Sequence, residues 1–452
     1  MKLNRALDVR AGSAIAFVGA GGKTGALFAL AQELESPVVL STTTHLGTWQ
    51  AQGADQHVTA YSPSDIDRLD FNRYPIILVT GPADNHDRLT APDAQLLAYL
   101  HARCKNRGIT LLVEADGARQ RSLKAPADYE PVIPPWVESV VVMAGMKGLD
   151  KPLTEEWVHR PEIFSELSGR TLSEPVRVED AIKVLGDRKG GLKGIPAGAK
   201  RYLFLAQADD PFAQAQACRM AGALTGQYNR VLVGDLDHLY DSGPVFAAHS
   251  PVAGVVLAAG GSKRLGQTKQ LLDWEGEPFI SKIVKTGSES GLTPLVVVTG
   301  ADKNFVTEAI GDLPARTVFN PDWEAGQAGS MKAGLDTLPE DCDAVIFLLG
   351  DQPQVSPLLI RQLMERFYRN RKPVTAPMIN RQRGNPVLFS HETFDSLRQV
   401  TGDQGGRAVI RQFDVDWLPW VDDRALLDVD KGGELDWLWE AYYGVTNSKG
   451  SD

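Results

Sequence analysis

Twice in 452 residues an apolar run empties into a knot of glycines followed by lysine. The first is "IAFVGAGGKTGALFALAQEL" over 15–34, and the second is "VVLAAGGSKRLGQTKQLL" over 255–272. Glycine permits the tight turn and lets backbone N–H groups approach an anion closely. Each stretch must therefore sit where a strand ends and a helix begins, at the rim of a sheet. The surrounding pattern supplies two such sheets. Before residue 240 the short apolar runs "AIAFV", "PVVLS", "PIILVT", "TLLVEA", "SVVVMA", "RYLFLA" and "RVLVG" alternate with longer helix-patterned segments. Several are apolar on both faces of the pleat, as a parallel sheet covered by helices requires. The run "DSGPVFAAHSP" breaks the alternation, which restarts with "VAGVVLAAG", "PLVVVTG", "ARTVFN", "DAVIFLLGD", "PVTAP" and "NPVLF". The expected fold is α/β in two domains, since 452 residues exceed one ordinary core. The expected boundaries are 1–240 for the first domain, 241–251 for a linker, 252–445 for the second domain and 446–452 for a flexible tail.

Composition narrows the function classes. A formal net charge of -10 argues against a nucleic-acid partner, which needs basic surface. Phosphates can still be bound where cations gather locally. The three cysteines, Cys104, Cys218 and Cys342, form no CxxC pair, so neither a disulfide framework nor a zinc cluster is expected. The opening "MKLNRALDVR" lacks a signal-peptide core, and no apolar run reaches membrane-span length. A cytoplasmic location without membrane association is the expectation.

In the second half, Leu257, Ala258, Ala259, Gly260 and Gly261 form the bulk-free end of a strand, and Arg264 and Lys269 add positive charge suited to a triphosphate. "AVIFLLGDQP" places Asp351 directly after another strand, where open α/β sheets carry their ligands. "LLDVD" puts Asp428 and Asp430 on one face if extended. Mg²⁺ prefers one or two carboxylates plus phosphate oxygens, so Asp351 and Asp430 suit it as ligands. In "NPDWEAGQAGSMKAGL", Ser330 reads either as a helix N-cap or as a nucleotide ligand. Gly384, Asn385 and Pro386 form a turn suited to close approach of an acceptor, and Asp403 and Arg407 lie in a glycine-rich loop that is either a lid or an exposed turn.

"LAAGGSKRLGQTKQLL", "NPDWEAGQAGSMKAGL", "GDQP", "GNPVLF", "GDQGGR" and "DVD" occur in the order of the MobA-like nucleotidyltransferases, and most resemble the molybdenum cofactor cytidylyltransferase branch. The resemblance covers residues 252–443. It implies a Rossmann-like domain of the nucleotide-diphospho-sugar transferase type, with Arg264 and Lys269 as basic catalytic residues and Asp351 and Asp430 as magnesium ligands. It further implies CTP as substrate and molybdopterin, or the molybdenum cofactor, as acceptor. Ala259 stands where the guanylyltransferase branch usually has glycine, which favours CTP over GTP. Asn385 stands where the family commonly has histidine, a departure that bears on the acceptor.

The first-half loop runs through Gly19, Gly21, Gly22, Lys23 and Thr24 into a helix, a P-loop-like arrangement on a parallel sheet. Lys23 can reach a phosphate and Thr24 can ligate Mg²⁺. The standard GxxxxGK[ST] spacing fails, because Phe17 occupies the position that needs glycine. "VVLSTTTHLG" brings Ser41, Thr42, Thr43, Thr44 and His45 to a neighbouring strand end, and "TLLVEADGARQRSLKAP" brings Glu114, Asp116 and Lys124. Together "GAGGKT", "TTTH", "EADGA", "PVIP" and "VHRPEIF" resemble the YqeC family, accessory proteins of selenium-dependent molybdenum hydroxylases. That resemblance covers residues 3–236. It implies nucleotide and metal at Lys23, Thr24 and Asp116, with His159 and Arg160 toward a second ligand. ATP and GTP both fit, and a molybdenum hydroxylase apo-enzyme is the implied partner. Two other readings stay open: a different CTP- or GTP-dependent nucleotidyltransferase, or a cofactor chaperone that binds nucleotide without turnover.

Overall fold

A computed structural model describes residues 1–86, 88–237, 243–261 and 268–426. By internal contacts the chain divides into two compact units, Met1–Ser250 and Pro251–Asp452.

The first unit is built on a nine-stranded sheet. Its strands are β1 (Ala14–Gly19), β2 (Val38–Thr42), β3 (Gln56–Thr59), β4 (Ile76–Thr80), β5 (Thr110–Glu114), β6 (Ser139–Gly145), β7 (Lys200–Ala206), β8 (Arg230–Gly234) and β9 (Val245–His249). Their spatial order is β9-β8-β7-β6-β1-β5-β2-β4-β3. All neighbours are parallel except β8 and β9. The central strands β2, β4 and β5 are buried at every residue, which explains why they read as unbroken apolar runs. Strands β1 to β5 lie to one side of the chain's reversal and β6 to β8 to the other. The order turns between β1 and β6, and the carboxyl ends of β1, β5 and β2 stand side by side from that reversal, at the edge where such sheets open a crevice. The expected linker 241–251 is corrected here: its residues Val245–His249 form the antiparallel edge strand β9. Val245, Ala247, Ala248 and His249 are buried, and this burial outweighs the turn-like Gly, Pro and Ser around them.

The second unit carries an eight-stranded sheet of β10 (Val252–Ala258), β11 (Leu295–Thr299), β12 (Arg316–Phe319), β13 (Ala344–Leu349), β14 (Val374–Ile379), β15 (Gln382–Arg383), β16 (Val387–Ser390) and β17 (Val415–Pro419). The order is β12-β11-β10-β13-β16-β14-β15, with β17 paired to β14. The first four are parallel, as the periodicity suggested. Beyond them β16 runs antiparallel to both β13 and β14, so this sheet is mixed. The Pro357–Asn370 helix shows how local chemistry sets the ends: Pro357 opens it and the Ser356 hydroxyl accepts from the Leu359 N–H. Cys104 and Cys342 are buried free thiols, with burial pushing them up to about 12 and about 11. No helix among the described residues is long and apolar enough to cross a membrane.

Candidate functional sites

In the first unit the ends of β1, β2 and β5 line a cleft of about 1000 Å³. The loop after β1 is tied down before it reaches the cleft. Gly19 N–H donates to Asp116 Oδ2 at 2.9 Å, Ala20 N–H to the Met143 carbonyl at 2.9 Å, and Gly21 N–H to the Arg121 carbonyl at 3.0 Å. Gly19 and Gly21 have φ of +91° and +86°, and a Cβ on either would lie 2.3 and 2.4 Å from backbone of β6. These two glycines thus let the loop press against β6, which corrects the expectation that both present N–H groups to phosphate. Gly22, at φ +110°, precedes the Lys23–Glu33 helix. Gly22, Lys23, Thr24 and Gly25 all line the cleft, and among the described residues no acceptor takes their N–H groups. A helix start with four such N–H groups is an arrangement that suits an anion.

Lys23 is buried. Its ammonium donates to the Gly19 carbonyl at 2.6 Å and lies 3.2 Å from Asp116 Oδ1. Asp116 does not line the cleft: its Oδ2 is 2.9 Å from Lys124, and only 2% of its side chain is exposed. The expected metal ligand at Asp116 is corrected accordingly, because lysine ammonium groups flank both of its oxygens. Glu114 takes the place beside Thr24, accepting from its hydroxyl at 2.7 Å, while Gln50 donates to the same hydroxyl at 2.9 Å. Burial pushes the Glu114 carboxyl above the usual range, opposed by the charge of Lys23 and the Thr24 hydrogen bond. Thr24 and Glu114 are the hydroxyl–carboxylate pair able to share a divalent ion.

The ion pairs continue across the cleft floor. Lys124 also lies 2.7 Å from Glu130, which takes a two-pronged contact from Arg160. Burial works to raise the Glu130 pKa, but Arg160 and Lys124 outweigh it and hold the carboxyl at about 2. Burial, with the charges of Arg160 and Lys124, brings His159 down to about 4, so its ring is neutral near pH 7. His159, Arg160, Thr43 and His45 all line the cleft. Thr43 donates its hydroxyl to the Val132 carbonyl at 2.8 Å, and His45 lies 3.9 Å from Asp84.

In the second unit a cleft of about 640 Å³ opens at the ends of β10 and β13. Leu257, Ala259, Gly260 and Gly261 line it, whereas Ala258 does not. Among the described residues no acceptor takes the N–H groups of Ala259, Gly260 or Gly261. Asp351 faces the same space, with Lys269 3.8 Å away. Arg264, Asp428 and Asp430 lie outside the described residues, so neither the expected arginine nor the second acid is placed. Among the described residues no cluster of three or more His, Cys, Asp or Glu is arranged to hold a metal. A lone Asp351 still suits Mg²⁺ when phosphates complete the shell.

Ser330 lines the cleft inside the Gln327–Leu335 helix, where Gly326 holds the N-cap position, so the cap reading is corrected. Asn320 donates its amide to the Ser330 hydroxyl at 3.0 Å, and Asp403 Oδ1 accepts from the Gln327 N–H at 3.2 Å. Of the expected acceptor turn only Asn385 faces the cleft. Gly384 and Pro386 are buried beneath it, and a Cβ on Gly384 would meet Ile379 at 2.8 Å. Among the lining residues not singled out in the sequence are Trp323 and Arg383. A Cβ on Gly261 would lie 3.2 Å from the Trp323 ring, so the glycine lets an aromatic wall pack close against the loop.

Comparison with known proteins divides the chain at the same place. Residues 254–417 match the MobA-like NTP transferase domain, and residues 15–162 match the YqeC protein family. "Uncharacterized protein YqeC" of Escherichia coli (strain K12) is 28% identical over 45% of this chain and 80% of its own length. "Nicotine blue oxidoreductase" of Paenarthrobacter nicotinovorans is 30% identical over 42% of this chain and 95% of its own. "Probable molybdenum cofactor guanylyltransferase" of Bacillus mycoides (strain KBAB4) is 31% identical over 31% of this chain and 68% of its own. The latter two names denote different reactions, so the choice between reactions has to come from the cleft itself.

Proposed function

The chain belongs, through residues 254–417, to the MobA-like NTP transferases, relatives of the molybdenum cofactor nucleotidyltransferases, and carries a YqeC domain over 15–162; from this membership we propose that the second unit is a molybdenum cofactor cytidylyltransferase. It transfers CMP from CTP to the terminal phosphate of molybdopterin. The observation that carries this reading is one cleft holding the unengaged N–H groups of Ala259, Gly260 and Gly261 together with Asp351 and, 3.8 Å from it, Lys269.

An oxygen of the acceptor phosphate forms the new bond to the α-phosphorus of CTP. The bond to the bridging β-oxygen breaks, and pyrophosphate leaves with the electron pair. The nucleophile is already anionic, so the residues need supply no strong base. What they supply is charge neutralisation and in-line placement. A divalent ion bound with the triphosphate adds to that neutralisation, and Asp351 would hold it. Ala259 carries the case for CTP, because it stands where the guanylyltransferase branch usually has glycine; it is 6% exposed, and the neighbouring Gly300 has no room for a side chain beside it. The first unit is a P-loop-like accessory domain that binds ATP or GTP with Mg²⁺ at Gly22–Gly25, Thr24 and Glu114. It serves maturation of a cytoplasmic molybdenum hydroxylase.

The test is pyrophosphate release by the full chain with molybdopterin and Mg²⁺, supplied with CTP or GTP. Release with CTP at least tenfold faster than with GTP supports the reading. A strong preference for GTP overturns the role of Ala259, and absence of release with either overturns the transferase assignment.

A further inference from the structure

Arg383 and Arg407 line the second cleft together, and among the described residues neither is paired with a carboxylate. Arg383 is half-buried on the rigid hairpin of β14 and β15, opposite Met378 in the ladder, with the following Gly384 N–H bound to the Pro377 carbonyl at 3.0 Å. Arg407 starts the short Arg407–Ile410 helix, which Val409 and Ile410 anchor in the core. The preceding Gly406 sits so close to the Phe389 ring that a Cβ would lie 2.8 Å from it. Burial pulls the Arg383 guanidinium pKa down, and the like charge of Arg407 adds to this. Two cations brought together with no counter-ion among the described residues, one of them partly removed from water, form an arrangement that an arriving anion stabilises.

The acids of the cleft do not fill that role. Asp351 faces Lys269, Asp403 accepts from the Gln327 N–H, and Glu324, the third acid lining the cleft among the described residues, forms no ion pair with Arg383 or Arg407. Sheet order shows which anion fits. The Ala259–Gly261 loop follows β10, Asp351 follows β13, and Arg383 lies in β15, so Asp351 stands between the loop and Arg383 in the order β10-β13-β16-β14-β15, with Arg407 lining the same cleft. A transfer between two phosphates needs an anion site on each side of the reacting phosphorus. We propose that Arg383 and Arg407 form the acceptor subsite of the second unit and grip a phosphate monoester on the side of Asp351 opposite the nucleotide loop. The assignment rests on the transferase reading for its role but not for its chemistry, because a paired-arginine phosphate site stands with or without turnover.

The experiment uses the full chain and a probe that needs no reaction. Fluorescence anisotropy with 4-methylumbelliferyl phosphate, and free 4-methylumbelliferone as control, is measured for wild type, R383Q, R407Q and R383K. Labelled CTP binding is measured in parallel by equilibrium dialysis. The phosphate ester is expected to bind wild type in preference to the free phenol. Each glutamine variant should weaken it roughly 10- to 100-fold, with CTP affinity within about twofold of wild type and partial recovery in R383K. Ester binding that is absent in wild type, or equal in the variants, overturns the subsite. A matching loss of CTP affinity overturns it too, since the arginines would then hold the triphosphate. Ester binding that follows this pattern in a protein releasing no pyrophosphate upholds the subsite and removes the transferase reading instead.

Discussion

Replacing Glu130 by glutamine keeps the shape of the side chain and removes its charge from the ion-pair run under the first cleft. In the folded protein Lys124 and Arg160 hold this carboxyl at about 2, against an ordinary value of 4.5. A gap of roughly two and a half pH units at about 1.4 kcal/mol each comes to about 3 kcal/mol. Only 12% of the side chain is exposed, so solvent screens little of this, and breaking one partner of a buried pair costs a similar amount. Because the folded value is depressed, the stabilisation is complete above about pH 4.5 and disappears as pH falls from there toward 2. E130Q should therefore be less stable than wild type by about 3 kcal/mol at pH 7, and by about 2 kcal/mol at pH 3.5. Urea unfolding followed by far-UV circular dichroism at both pH values, read on the transition of the first unit, measures the difference. A gap under about 1 kcal/mol at pH 7, or one that fails to narrow at pH 3.5, would refute the idea that Arg160 and Lys124 bind the charged carboxylate.

D351N should slow pyrophosphate release by roughly 100- to 1000-fold while the fold persists by circular dichroism; near-wild-type release would remove Asp351 from the chemistry. K23M should weaken ATP or GTP binding to the first unit by roughly 10- to 100-fold in equilibrium dialysis, leaving CTP-dependent pyrophosphate release unchanged. G19A, forced to φ +91° with its Cβ 2.3 Å from the Met143 carbonyl, should lower unfolding stability by at least about 2 kcal/mol. G117A, whose Cβ meets nothing within 4 Å, should leave the thermal midpoint nearly unchanged.

Both glycine-rich loops at strand ends and most strands were legible in the sequence, because a strand buried on both faces has to be apolar throughout, as β2 and β5 are. The mixed end of the second sheet was not. A strand such as Val387–Ser390 shows the same apolar content whichever way it runs, and direction comes from pairing with distant β13 and β14. Asp116 was misread for a related reason. An acid two residues beyond a strand suits a metal, but here Lys124, brought back by the chain reversal after Gly117, comes within 2.9 Å of it. Arg383 gave no signal because its meaning lies in having no carboxylate partner among the described residues, and only the assembled cleft shows that Arg407 is its neighbour. Local pattern located the loops, and long-range pairing decided which of their groups were left to act.

Lys23 has a further consequence. With its ammonium on the Gly19 carbonyl and beside Asp116, the lysine already has partners within the protein. Any phosphate that recruits it must exchange for those oxygens, so the measured affinity reports a difference between two bound states of one cation. Such a swap favours modest affinity with rapid release, because Lys23 keeps the Gly19 carbonyl within reach as an alternative partner.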